Sequence, residues 1–183
     1  MRWTKTKMLI ENLICEKLNK RLKINATSYN TSLGEHRRIW ITLDKKEIFN
    51  ASSAHFLYAH DKLWDEVRNR TSKPFPDCLY DCFPELVGKV NDLDFSLMIL
   101  EQRNIFNVNR AYDSLVQYSN FSIEDALISK DVIVQALALI DKRLGKRRLE
   151  NLEFNSDTHP LVIKFFQIRC EGEGISNSNF LTN

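Results

Sequence analysis

Cys78 and Cys82 stand four residues apart in "CLYDC", a spacing that can set two thiols on one helix face, as a shared metal ion would require. A structural zinc site takes four ligands, and neither Cys15 nor Cys170 arrives in a paired motif. The four cysteines are therefore expected to be reduced and mostly buried, with no metal and no cofactor. The histidines are scattered at 36, 55, 60 and 159. His55 and His60 flank a helical stretch five residues apart, which puts them on different faces. Asp61, Asp65 and Glu66 lie beside Lys62 and Arg68, the pattern of a solvated helix face with local ion pairs. The five glycines are isolated and form no phosphate loop. Neither H-E-x-x-H nor G-x-S-x-G occurs. No thiol is singled out as a nucleophile, and no catalytic residue is assigned.

A basic cluster remains. "DKRLGKRRLENL", residues 141–152, places Lys142, Arg143, Lys146, Arg147 and Arg148 within seven positions. Val132, Ile133, Ala136, Leu137, Ile140 and Leu144 define one apolar stripe, which predicts a long helix over 131–144. Lys142 and Arg143 then complement the dipole at its C-terminal end, and Gly145 is the expected left-handed residue that closes it. Lys146, Arg147 and Arg148 open a new turn, where no dipole favours positive charge. Only a short connection separates them from the final helix, so Arg147 or Arg148 is expected to bond the 157–171 segment, with Asp157, Glu171 and Glu173 as available acceptors.

The elements that must position these residues follow from periodicity. The chain has 183 residues, 43% apolar and 27% charged, enough for a sizeable core and against wholesale disorder. Net charge is +2, but residues 1–71 hold 14 Lys/Arg against 8 Asp/Glu and the remainder 12 against 16. The N-terminal part is the expected face for an anionic partner. Glu11 and Asn12 interrupt the apolar opening and no small-residue cleavage site follows, which argues against a signal peptide. No apolar run nears the ~20 residues that span a bilayer. The expectation is a cytoplasmic protein with no membrane partner.

Met8, Leu9, Ile10, Leu13, Ile14 and Leu18 recur at helical spacing and predict one helix over about 4–20. Strands follow in "RLKINATSYN", "RRIWITLD" and "EIFNAS", with "TSLGEH" as a loop and "DKK" as a turn. In the second strand Ile39, Ile41 and Leu43 share one face, and Arg38, Trp40 and Thr42 the other. A helix over 53–70 is capped by Ser52 or Ser53. Pro74, Pro76, Pro84 and Gly88 mark a connection over 72–93. Helices are predicted over 94–104, 109–119, 123–128 (opened by Ser122), 131–144 and 160–170, the last capped by Asp157 or Thr158 with Pro160 in its first turn. Residues 173–183 read as a flexible tail.

"RRIWITLDKKEIFN" and the pair "ALALIDKRLGKRRL" and "HPLVIKFFQIRCEGEG" resemble an uncharacterised family of small bacterial cytosolic proteins, over roughly 2–52 and 94–172. That family pairs an aromatic hairpin with a basic helix. It carries a glycine where this chain has Lys45, so the hairpin turn need not share its geometry. The resemblance implies a common fold and no assigned reaction. The helix–strand–strand–strand–helix order of 4–70 is also that of double-stranded-RNA-binding domains. Those grip phosphates with lysines opening the second helix, whereas here no lysine precedes Lys62 in that helix.

The fold expected is α+β: an α-β-β-β-α module over 1–71 with a three-stranded antiparallel meander, a connection over 72–93, and a helical layer over 94–172, forming one compact unit. The expected role is a non-catalytic protein-interaction protein, an adaptor or an immunity-type protein that blocks its partner. A nucleic-acid-binding module is the alternative, and a hydrolase without a recognisable motif the third reading. The expected binding surface comprises Arg38, Trp40, Lys146, Arg147 and Arg148, since arginine and aromatic residues are enriched at binding hot spots.

Overall fold

The structure, a computed structural model, describes residues 3–32, 34–71, 81–82 and 92–175. Cys78, most of the 72–93 connection and the tail beyond Ile175 lie outside these residues. The fold is α+β. Helices α1 (Trp3–Leu13) and α2 (Glu16–Asn19) lead into strands β1 (Leu22–Thr31), β2 (Gly34–Leu43) and β3 (Lys46–Ser52). Then come α3 (Ser53–Arg70), α4 (Asp92–Gln102), α5 (Val108–Tyr118), α6 (Ile123–Leu127), α7 (Val132–Leu139), α8 (Lys146–Glu150) and α9 (Pro160–Glu173). The strands form a three-stranded antiparallel sheet in the order β1-β2-β3.

The residues cluster into two compact units that do not follow chain order. One comprises 1–26, 39–50 and 109–183, the other 27–38 and 51–108. The core of the first is built on α7, whose Ile133, Val134, Ala136, Leu137, Ala138 and Leu139 are all buried. A helix apolar on every side must be covered on every side, and α6 and α9 pack against it. Leu22, Ile24, Ile41 and Ile48 complete the apolar interior from the strands. In the second unit, Phe56, Leu63 and Val67 of α3 pack with Ile99 and Leu100 of α4, and Arg103 pairs with Glu66 at 3.2 Å.

Two expected helices are shortened, and each interrupts the other. Instead of one helix over 4–20, α1 ends at Leu13 and α2 begins at Glu16. Instead of one over 131–144, α7 ends at Leu139. At the two breaks Ile14 and Asp141 form an antiparallel bridge. The Cys15 N–H donates to the Ile140 carbonyl at 2.9 Å, and the Lys142 N–H to the Leu13 carbonyl at 2.7 Å. Buried backbone groups freed at the helix ends thus satisfy one another. Gly145 is not the left-handed terminator of α7. It has φ −69° and ψ 154° and stands at the N-cap of α8.

The remaining caps are local. Ser52 accepts from the His55 N–H and Ser122 from the Asp125 N–H. The last helix is capped by neither Asp157 nor Thr158. The His159 Nδ1 accepts from the Leu161 N–H at 3.1 Å, because Pro160 occupies the first helical position and the next available N–H is that of Leu161. At the β2–β3 turn, Asp44 and Lys45 have φ 48° and 68°. Two positive φ values in a two-residue loop are the backbone of a type I′ hairpin, which Lys45 therefore adopts without being glycine. Arg21 grips the Asp44 carboxylate, with Nε donating at 3.1 Å, and the Asp44 N–H donates to the Arg21 carbonyl at 3.0 Å.

Candidate interaction surface

The expected alternation of β2 holds. Ile39 and Ile41 are buried and Leu43 is half-buried on one face, while Arg38, Trp40 and Thr42 are half-buried on the other. Trp40 is thus half-buried, between the fully exposed and the fully buried position. Further along the β1–β2 hairpin the strands leave the core. Ala26, Thr27, Ser28, Tyr29 and Asn30 are all exposed, with Tyr29 at 52%. The "TSLGEH" stretch expected as a loop mostly extends these strands, and only two residues separate β1 from β2. Thr31 therefore stands opposite Gly34, and the Thr31 hydroxyl donates to the Gly34 carbonyl at 3.1 Å. Tyr29 falls opposite His36, with ring centroids 5.7 Å apart.

That face presents an exposed phenol, a half-buried imidazole whose Nδ1 is buried without a hydrogen bond, and then Arg38. The opposite face is polar and self-neutralised. Glu35 accepts from the Ser28 hydroxyl at 2.6 Å and from Arg37 Nη2 at 2.7 Å. Bonds from Arg37, and then from Ser28, hold the Glu35 carboxyl down at about 2. The hairpin is tied to α3 where the Arg37 N–H donates to the Ser53 hydroxyl at 2.9 Å.

The basic cluster divides differently from expectation. Arg148 is ion-paired, but to Glu124 at 2.7 Å and not to the 157–171 segment. It is Lys146 that reaches the last helix, donating to the Glu173 carbonyl at 3.2 Å. A cation there complements the C-terminal end of α9. Arg147 is exposed, and among the described residues it is its carbonyl that is engaged, by Asn151 at 3.0 Å. Arg143 does not serve a helix C-terminus. Its Nε and Nη2 donate to the Asp141 carboxylate at 3.0 and 2.7 Å, and its Nη1 to the Phe121 carbonyl at 2.9 Å.

Asp141 is the residue that sequence reasoning passed over. Its side chain is fully buried, and its carboxylate accepts from the Tyr118 hydroxyl, from Arg143 and from the Arg143 backbone N–H at 2.7 Å. Burial, and then the neighbouring carboxylate, push the Tyr118 phenol well above its ordinary range. Asp131 is similarly committed, capping α7 through the Ile133 and Val134 N–H groups while accepting from the Ser114 hydroxyl at 2.6 Å. These carboxylates hold backbone in place. The available signal was an aspartate directly after an apolar helical run, which ends helices more readily than it continues them.

Cys15, Cys82 and Cys170 carry no disulfide, and burial pushes the Cys170 thiol up to about 11. Among the described residues no group of three or more His, Cys, Asp or Glu is placed to hold a metal ion, and no helix is long and apolar enough to cross a membrane.

No curated protein and no solved structure matches the chain. A family model does match, over residues 2–170, which takes in the hairpin, the Ile14–Asp141 bridge and the basic turn, and by that match the chain belongs to the SF0329 protein family.

Proposed function

We propose that this chain is a non-catalytic cytosolic interaction protein, an adaptor or an immunity-type protein that blocks a partner, and that it docks through the outer part of the β1–β2 hairpin. The observation that carries this reading is Tyr29, half exposed on a strand whose neighbours from Ala26 to Asn30 are exposed as well. A tyrosine offers large contact area at low entropic cost, together with one polar handle. Asp131, Asp141 and Glu35 support it too, because each already accepts bonds from the protein's own donors. A photo-crosslinking residue at position 29 tests the reading, with position 128, which is 80% exposed, as control. The expected result is a discrete adduct from position 29 alone, whose partner, once purified, binds the intact chain saturably and the Tyr29→Ser variant at least tenfold more weakly. Equal adducts from both positions would reject it.

A nucleic-acid partner is the second reading, favoured by one feature. Tyr29, His36 and Arg38 lie on one face of the hairpin, the residue types on which bases stack. Binding of generic RNA that weakens steeply with salt, and is lost in Tyr29→Ser, is the result that would replace the first reading with this one.

A further inference from the structure

β1 is an edge strand of the sheet, and among the described residues its outer half lacks the usual protection of an edge. Proteins blunt such edges with charges, prolines, bulges or a covering element. Between Asn25 and Thr31 the chain has no charged residue, no proline and no glycine, and from Ala26 to Asn30 every residue is exposed. The hairpin register decides which backbone groups face outward. A two-residue connection closes on a bonded pair, and opposite pairs alternate between bonded and non-bonded. Thr31–Gly34, Tyr29–His36 and Thr27–Arg38 are therefore the bonded pairs, and Ser28 and Asn30 turn their N–H and C=O groups to the open edge. No backbone group elsewhere among the described residues bonds them.

We infer that this edge pairs with the β1 edge of a second copy of the chain, antiparallel about a two-fold axis through Ser28, joining two three-stranded sheets into one of six strands. The inference rests on the proposed docking role of the hairpin and names its occupant. Charge selects the occupant. A two-fold contact sets each surface against itself, so any charge near the axis would meet its own like. The strand from Ile24 to Thr31 carries none. On the adjoining strand Arg37, opposite Ser28, is neutralised by Glu35 at 2.7 Å, and Arg38, opposite Thr27, is half-buried and engaged within the chain. A charged peptide would find no charge on the edge strand itself to recognise, whereas an identical strand meets no repulsion there. The pairing also sets Ser28 against Ser28, Asn30 against Ala26, and Tyr29 against Thr27 of the second copy. The last is an aromatic residue on a β-branched one, a favourable cross-strand pair.

Sedimentation equilibrium of the full chain tests this. The wild type is expected at twice the 21.5 kDa chain mass. Asn30→Pro, which removes an outward N–H and leaves the β1–β2 bonds intact, is expected at the single mass with an unchanged circular dichroism spectrum. The double variants T27K/Y29K and T27E/Y29E are each expected to be monomeric, and their equimolar mixture to return to the dimer mass, a rescue that misfolding cannot produce. A wild type that stays monomeric at high micromolar concentration overturns the inference, as does a dimer that survives in T27K/Y29K alone. A monomer that still crosslinks a different protein from position 29 leaves the docking reading in place and removes only the second copy as its occupant.

Discussion

Ile14 and Asp141 meet in a single antiparallel bridge, and this one contact ends two helices whose apolar periodicity would carry both of them further. The bridge is buried on both sides, Ile14 at 3% exposure and Asp141 at 1%. The Asp141 carboxylate beneath it is filled by Tyr118 and Arg143.

Asp141→Ala is expected to cost about 3 kcal/mol in urea unfolding, the lower end for a broken buried pair because Arg143 still reaches solvent. Tyr118→Phe, which leaves the ion pair in place, should cost about 1.5 kcal/mol. A loss under ~1 kcal/mol for Asp141→Ala would mean that the bridge is held by its backbone bonds alone.

Gly145 offers a direct check on how the basic turn is built. It caps the N-terminus of α8 at negative φ, and a Cβ there would meet nothing within 4 Å. Gly145→Ser should therefore add a capping acceptor and raise stability by about 0.5 kcal/mol. A left-handed terminator would respond with the opposite sign, so thermal unfolding of this one variant separates the two geometries.

Lys45 pays for its φ of 68° with side-chain crowding that glycine does not feel. Lys45→Gly is expected to raise stability by about 0.5–1 kcal/mol and Lys45→Val to lower it by at least as much. Equal stabilities across the three residues would contradict the type I′ turn.

Glu35 should titrate near about 2 in the folded chain, well below the ~4.3 of an unperturbed glutamate. Its folded value is depressed, so its contribution to stability is present above the unfolded value and lost as pH falls through about 2. The side chain is exposed, so the effect on unfolding is small and the titration itself is the readout. Carboxyl carbon chemical shifts should give the low midpoint in the native chain and a higher one in Arg37→Gln, still below the ordinary range because the Ser28 hydroxyl continues to donate.

Much of the fold was legible in the residues. The alternation of Ile39 and Ile41 with Arg38 and Trp40 placed the core face of β2 correctly, because strand side chains can only alternate. Ser52, Ser122 and Pro160 marked helix starts, since their effects act within one turn of chain. The surface was less legible. Lys146, Arg147 and Arg148 are adjacent in sequence, yet one bonds a carbonyl of α9, one bonds Glu124 of α6 and one stays in solvent. Nothing in the order of the chain distinguishes these three fates.

What the sequence determined by itself was set by neighbours within a few residues: the faces of β2, the helix starts at Ser52, Ser122 and Pro160, and the uncharged run from Ile24 to Thr31. What only the tertiary structure decided was where those elements stop and which charges are used. Helix ends at Leu13 and Leu139 depend on backbone partners more than a hundred residues away, and the fates of Arg143 and Arg148 depend on Asp141, Phe121 and Glu124 being brought within bonding distance. Local preferences of a few tenths of a kcal/mol per residue yield wherever burial demands that each backbone N–H and carbonyl find a partner.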